Sequence, residues 1–306
     1  MRKLLKWFGI SLAGFFGIML MSAVIVTVIS NIRWKREYEN FDIRVASNTV
    51  PVGGASAARG EHVATTRYCG YCHGENLAGD YVLNEPAMAV VPAPNLTAGE
   101  GGIGAGYSDE DWVRAIRHGM GRDGRGLVAM PSRIWHTLSD QDLADLIAYL
   151  KDLPPIDNEL PARSIGPMGR LMVALGQFPD AEAAVIDHDA PRPHAPDKGD
   201  ILEYGAYLSY ACRACHGMQL NGGTIRATSG ELVVALNLTP GGRLASWSEE
   251  DFFNALRTGE TPEGRQLSEK MPWQYVGELS DEELHAVWKY LQSLPAEEQN
   301  LERKDR

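Results

Sequence analysis

Cysteine is nearly absent from this 306-residue chain: there are four, and all fall in two copies of one pentapeptide. Outside those two copies no thiol is left for a disulfide. Alternation of apolar and polar residues is missing over any useful length, which argues against a sheet protein. Charge is missing from Trp7 to Ile32, as expected of a segment that crosses a membrane. Basic residues are too few to balance the acidic ones. The net charge is −11, and Arg2, Lys3 and Lys6 precede the uncharged stretch, so residues 31–306 carry −14. A surface of that sign is repelled by nucleic acid and by an anionic bilayer face. Nucleic acid is therefore excluded as a partner. The field would steer a basic protein partner, or simply keep the chain soluble.

The two pentapeptides are Cys69-Gly-Tyr-Cys72-His73 and Cys212-Arg-Ala-Cys215-His216. Two thiols and an imidazole at this spacing are what covalent attachment of a c-type haem requires. The cysteines add across the vinyl groups as thioethers, and the histidine reaches the iron from one face. Two covalently bound haem c groups are expected. A Cys₄ zinc site would leave both histidines idle.

The motifs belong to an internal repeat. Their offset is 143 residues and it persists with small changes. Asn95-Leu-Thr97 matches Asn237-Leu-Thr239, Ser108-Asp-Glu-Asp-Trp112 matches Ser248-Glu-Glu-Asp-Phe252, and Met130-Pro131 matches Met271-Pro272. Arg117 matches Arg257, Gly119 matches Gly259, and Leu153-Pro154 matches Leu294-Pro295. The order is that of a duplicated domain of about 100 residues, an ordinary domain size.

Each iron needs a second axial ligand, and the repeat nominates one. Of the methionines and histidines downstream, only the Met-Pro pairs coincide, 57 residues past His73 and 55 past His216. A thioether is a soft neutral ligand that favours reduced iron. Met130 and Met271 are thus the expected axial partners of His73 and His216. His118 is replaced by Thr258, and His136 has no counterpart, so both read as surface or hydrogen-bonding side chains. Arg117 and Arg257 are suited to neutralise haem propionates. Asn95 and Asn237 would bond a propionate or cap a loop.

The remaining pattern is helical. Residues 57–68 and 200–211 should lead into the haem motifs. Ser108 and Ser248 read as N-caps of helices that stop at Gly119 and Gly259. The last helix of each repeat carries Leu143, Leu146, Ile147 and Leu150, or Leu284, Val287, Trp288 and Leu291, at i, i+3, i+4, i+7. Each ends at Leu-Pro, where proline cannot continue a helix. The domains are read as all-α.

Both repeats, over residues 55–155 and 197–296, resemble class I cytochrome c domains. The Asn-Leu-Thr element, the Asp-Trp or Asp-Phe helix and the Met-Pro loop are similar, more narrowly, to the membrane-bound multihaem cytochrome subunits of periplasmic alcohol and sugar dehydrogenases. Those subunits commonly carry three haems, whereas this chain has two motifs. Another departure is the proline whose carbonyl often orients the ligand histidine. The first repeat offers Pro86, Pro92 and Pro94, but the second has no proline between His216 and Pro240. Some other carbonyl must then hold His216.

The resemblance implies two tandem class I cytochrome c domains behind an N-terminal transmembrane helix, relaying single electrons with no catalytic activity of their own. Donor and acceptor would be respiratory or photosynthetic proteins on the periplasmic side: a dehydrogenase, a respiratory complex or a small soluble cytochrome. The alternative is a dihaem enzyme, such as a peroxidase or a thiosulfate-oxidising cytochrome, with one substrate-accessible iron. The matched Met-Pro pairs argue against it. A third reading makes the chain a fixed subunit of a large complex.

Residues 1–33 form the expected anchor. The apolar run Trp7–Ile29 is 23 residues long, roughly 35 Å as a helix against a hydrocarbon core of about 30 Å. It is longer than a cleavable signal's apolar core and lacks a small-x-small site at its end. Arg2, Lys3 and Lys6 before it and Arg33, Lys35 and Arg36 after it nearly tie the positive-inside rule. The resemblance breaks the tie by placing the haem domains in the periplasm, anchored to a bacterial inner membrane. Residues 156–196 read as a linker whose apolar stretch Ile165–Phe178 packs between the domains or on a partner subunit, with a membrane-surface contact as the alternative. His188 and His194 lie in it. Residues 297–306 are a polar tail.

Overall fold

The computed structural model describes residues 2–39, 41, 54–178, 181–191, 194–226 and 231–301. Helix α1 (Arg2–Trp34) is uncharged from Trp7 to Ile32 and continues into a π-helical turn, Lys35–Glu39. It is long and apolar enough to cross a membrane, and its spanning window is exposed.

The first haem-motif unit is built from α2 (Ala57–Thr66), α3 (Cys69–His73), strands β1 (Asp80–Glu85) and β2 (Ala89–Ala93), α4 (Asp109–His118), α5 (Ser132–Trp135) and α6 (Asp140–Asp152). Strand β3 (Ser164–Ile165) and helix α7 (Pro167–Leu175) follow. The second unit repeats the plan: α8 (Ile201–Leu208), α9 (Arg213–His216), β4 (Gly223–Arg226), β5 (Leu232–Ala235), α10 (Glu249–Thr258), α11 (Trp273–Val276) and α12 (Asp281–Ser293).

The caps follow the sequence. Ser108 accepts from the Asp111 N–H while Asp111 reaches back to the Ser108 N–H, and Ser248 with Asp251 does the same. Such boxes satisfy amides that the first helical turn leaves unpaired. Gly119 and Gly259 end these helices with φ of 66° and 77°, a conformation glycine adopts without steric cost.

In each unit the first helix crosses the last at a glycine. A Cβ on Gly60 would lie 1.9 Å from the Asp145 carbonyl oxygen of α6, and one on Gly205 would lie 2.0 Å from that of Ala286 in α12. Around these crossings sit the two cores, one with Trp112, Ile116, Leu143 and Leu150, the other with Phe252, Leu256, Leu284 and Leu291. The crossings also correct the repeat alignment. Eight residues separate Gly60 from Cys69 but only six separate Gly205 from Cys212. The first unit takes up the difference through Arg67 and Tyr68, the latter at φ 49°.

The fold is mostly helical, as expected, with a few short strands that the sequence did not announce. Each unit carries a hairpin after its haem motif: β1–β2, joined by β3, and β4–β5. Strands β2 and β5 are short continuous apolar runs without period-two alternation, so periodicity could not reveal them. Among its described residues the linker packs on α1 and the first unit rather than between the haem units. Helix α7 packs on the C-terminal end of α1, where Arg170 donates to the Asn31 side chain at 2.8 Å and Phe178 meets Trp34 edge-on. Further along, Arg133 of the first unit donates its backbone N–H to Glu182.

Candidate functional site

Each pentapeptide forms one helical turn, α3 or α9, which puts its two cysteines three residues apart on one face and its histidine at the end. Burial pushes the Cys69 thiol up to about 12 and the Cys212 thiol to about 11. Thiols that keep their protons are poor ligands for a thiolate-bound metal, and a neutral thioether suits such a setting. Among the described residues no group of three or more Cys, His, Asp or Glu converges as a metal cage.

The histidines are oriented alike. His73 donates Nδ1–H to the Pro94 carbonyl at 2.9 Å, and His216 donates to that of Leu236 at 2.7 Å. This contact fixes the tautomer that presents Nε2 to a metal. Burial lowers the pKa of His73, favouring the neutral form that ligation needs. Leu236 occupies the repeat position of Pro94, so the second unit keeps the carbonyl without the proline.

Met130 is half-buried against the first core, which also packs on Cys69, and Met271 against the second, which packs on Cys212. Each methionine thus shares its unit's core with that unit's first motif cysteine. Trp112 Nε1 and Trp273 Nε1 are buried without an acceptor among the described residues. An unpaired buried donor costs about 1–3 kcal/mol, and the carboxylates of a haem would supply acceptors. The residues present therefore fit one covalently held haem per unit.

The matched arginines are engaged within the polypeptide. Arg117 donates to Leu138 O at 2.7 Å and Asp140 at 2.8 Å; Arg257 donates to Leu279 O at 2.8 Å, Asp281 at 3.0 Å and the Gly277 carbonyl. They tie α4 to the start of α6, and α10 to the start of α12. Their terminal nitrogens are engaged in these ties, while Arg117 Nε has no acceptor among the described residues. Asn95 accepts from the Thr97 N–H and donates to Ile156 O at 2.7 Å; Asn237 accepts from the Thr239 N–H and donates to Glu297 O at 2.6 Å. Of the two roles open to them, loop capping is the one observed. These bonds draw in residues beyond 155 and beyond 296. His118 is stacked on His188, their Nδ1 atoms 2.9 Å apart, and burial first, then His188, lowers the pKa of His118 to about 4. His194 is exposed.

The motifs meet across the contact between the units. Tyr68, beside Cys69, donates to the carbonyl of Ala211, beside Cys212, at 3.4 Å. Arg67 donates to Leu208 O at 2.9 Å and lies over the Tyr207 ring. Two further contacts are reciprocal. His62 of α2 meets Glu283 of α12 at 2.8 Å, and Tyr207 of α8 donates to Asp142 of α6. Counted from the crossing glycines, His62 and Tyr207 are equivalent; counted from the capping serines, so are Glu283 and Asp142. The units therefore face each other about an approximate two-fold axis. Nothing in the sequence announced these pairs, since the partners lie 221 and 65 residues apart.

Residues 55–150 match the family described as cytochrome c oxidase, cbb3-type, subunit III, and residues 203–295 match the family described as cytochrome c. The chain belongs to the c-type cytochromes, with two haem c domains in tandem. Similar proteins include one of the subunits of nicotinate dehydrogenase from Pseudomonas putida, 31% identical over 96% of this chain and 25% of that protein. The fructose dehydrogenase cytochrome subunit of Gluconobacter japonicus is 29% identical over 79% of this chain and 53% of its own length. A diheme cytochrome c-type of Cereibacter sphaeroides is 26% identical over 78% and 86%. This cytochrome thus spans a quarter of the first relative and about half of the second. Among solved structures, reduced cytochrome c4 of Pseudomonas stutzeri aligns at 18% identity over 79% of this chain and all of its own, with a TM-score of 0.20.

Proposed function

We propose that this dihaem cytochrome is held in a bacterial inner membrane by α1 and passes single electrons from a dehydrogenase subunit, through its two periplasmic domains, to an acceptor. In this reading Cys69 and Cys72 attach one haem, with His73 and Met130 as axial ligands. Cys212 and Cys215 attach the other, with His216 and Met271. Bound haem c supplies one-electron cycling between Fe(III) and Fe(II). The protein's part is to orient both histidines through the Pro94 and Leu236 carbonyls, to exclude water with the two cores, and to hold the motifs against each other. The observation that carries the reading is the Tyr68–Ala211 contact, which makes the attachment motifs immediate neighbours. A relay requires that proximity, whereas two independent enzymatic centres do not. The dehydrogenase partner is drawn from the relatives named above.

The test is a redox-poised visible spectrum of the detergent-purified protein, with and without carbon monoxide, for the wild type and for Met130→His and Met271→His. Two methionine-to-iron charge-transfer bands and no carbon monoxide shift are expected. Each substitution should lower one haem's potential by on the order of 0.1 V, within the roughly 0.8 V that axial ligands span. A wild-type haem that binds carbon monoxide would favour the peroxidase-like enzyme instead.

A further inference from the structure

The chain is acidic overall, yet basic residues gather where α1 ends. The apolar run closes at Ile29, and Ser30 is 2% exposed although the rest of the span is mostly bare. What covers this level is the strap of β3 and α7. Together they enclose an open cavity of about 550 Å³ lined by Asn31, Trp34, Arg125, Arg163 and Arg170. Glu39 and Asp123 line it too. Asp123 is 3.2 Å from Arg125, so the lining keeps a net positive charge of one.

Arg163 is the unusual member. Its guanidinium is half-buried, 4.9 Å above the Trp34 ring, with no acceptor among the described residues. Burial first, and then the like charge of Arg125, hold it below the ordinary guanidinium range. Trp34 is fixed beneath it by stacking on Tyr38 at 4.2 Å. Arg170 spends one nitrogen on Asn31 and keeps further N–H donors. Such guanidiniums match the oxygens of a phosphodiester.

The depth is that of lipid headgroups. With Trp7–Ile29 filling the hydrocarbon, Asn31 and the arginines lie just outside it. Helix α7 turns Met168, Leu171 and Leu175 outward, 52%, 38% and 59% exposed. That spacing of i, i+3, i+7 is the apolar face of a helix lying in the bilayer boundary. The Arg33 guanidinium lies against Gly176 at its far end, where a helix terminus favours a cation.

We infer that this cavity binds the phosphate of an anionic bilayer lipid through Arg163 and Arg170, with α7 seated in the headgroup boundary beside it. An anionic headgroup also accounts for basic residues on a side of the membrane usually poor in them. The inference rests on α1 being a retained anchor.

The full-length haem-loaded protein would be placed in phosphatidylcholine discs with and without phosphatidylglycerol, and bound lipid counted by native mass spectrometry. Phosphatidylglycerol should be retained in preference to phosphatidylcholine, and inorganic phosphate should not displace it. Replacing both arginines (Arg163→Gln with Arg170→Gln) should weaken retention roughly thirtyfold, at about 1 kcal/mol per basic residue near the surface, with the haem spectrum unchanged. Equal retention of both lipids by the wild type overturns the inference even if the variant fails to fold. Displacement by inorganic phosphate overturns the lipid as its source. The same spectra report the N-terminus: a chain cleaved near residue 30 refutes the anchor, whereas an intact anchored chain with no lipid preference refutes only the lipid site.

Discussion

Residue by residue, the repeat showed which side chains matter more readily than what they do. Arg117 and Arg257 stood at matched positions, and a guanidinium suits a propionate as well as it suits a carboxylate and a carbonyl. Sequence could not choose, because Asp140 lies 23 residues from Arg117 and only the fold brings them to 2.8 Å. Arg117 is 4% exposed, so its loss leaves a buried carbonyl unpaired. Arg117→Gln should destabilise the first domain by about 2 kcal/mol and leave both haem potentials in place. Thermal melts beside a redox titration check this; a shifted potential at unchanged stability would restore the propionate role. The carbonyl that holds His216 was equally hidden. Its need was legible, but Leu236 is marked only by alignment with Pro94, since any residue offers a carbonyl.

Among the elements, capped helices were legible and hairpins were not. Serine caps, first-turn acids and terminal glycines are local signals, and the helices they bound, Asp109–His118 and Glu249–Thr258, begin and end where those residues stand. The hairpins β1–β2 and β4–β5 carry no comparable mark. The helix crossing was hidden as well. Gly60 reads as a weak helix residue until α6 is seen against it, with no room for a methyl group before the Asp145 carbonyl. Gly60→Ala, ordinarily favourable in a helix by about 1 kcal/mol, should here destabilise by roughly 2–3 kcal/mol through overpacking. Denaturant melts of that variant and of Gly205→Ala should shift together.

For the whole molecule, the duplication was plain in the sequence and the docking was not, because the residues that dock differ between the repeats. His62 faces Glu283, which also accepts from the Tyr204 hydroxyl at 3.1 Å, and, more distantly, Lys198 and Arg67. Bonding to Glu283 raises the pKa of His62. Glu283 falls to about 2; burial opposes the change, but the bonds from His62 and Ser280 outweigh it. The imidazolium's contribution is complete below about 6.5 and is lost as pH rises through its raised value. The carboxylate's contribution is present above about 4.5 and is lost as pH falls toward about 2. Docking should therefore be tightest between about pH 4.5 and 6.5. His62 is 41% exposed, so the gain is small, under about 1 kcal/mol. Amide exchange at α2 and α8, compared at mildly acid and mildly alkaline pH, should show the difference in the wild type and not in His62→Gln. The equivalent clasp answers to nothing in this range: burial, and next Asp142, push the Tyr207 phenol up to about 12. The approximate symmetry of the fold is thus broken in its chemistry. Alkali weakens one edge of the seam by that small amount and leaves the Tyr207 edge as it was, so whatever strain the domains bear is shared unequally between two geometrically equivalent clasps.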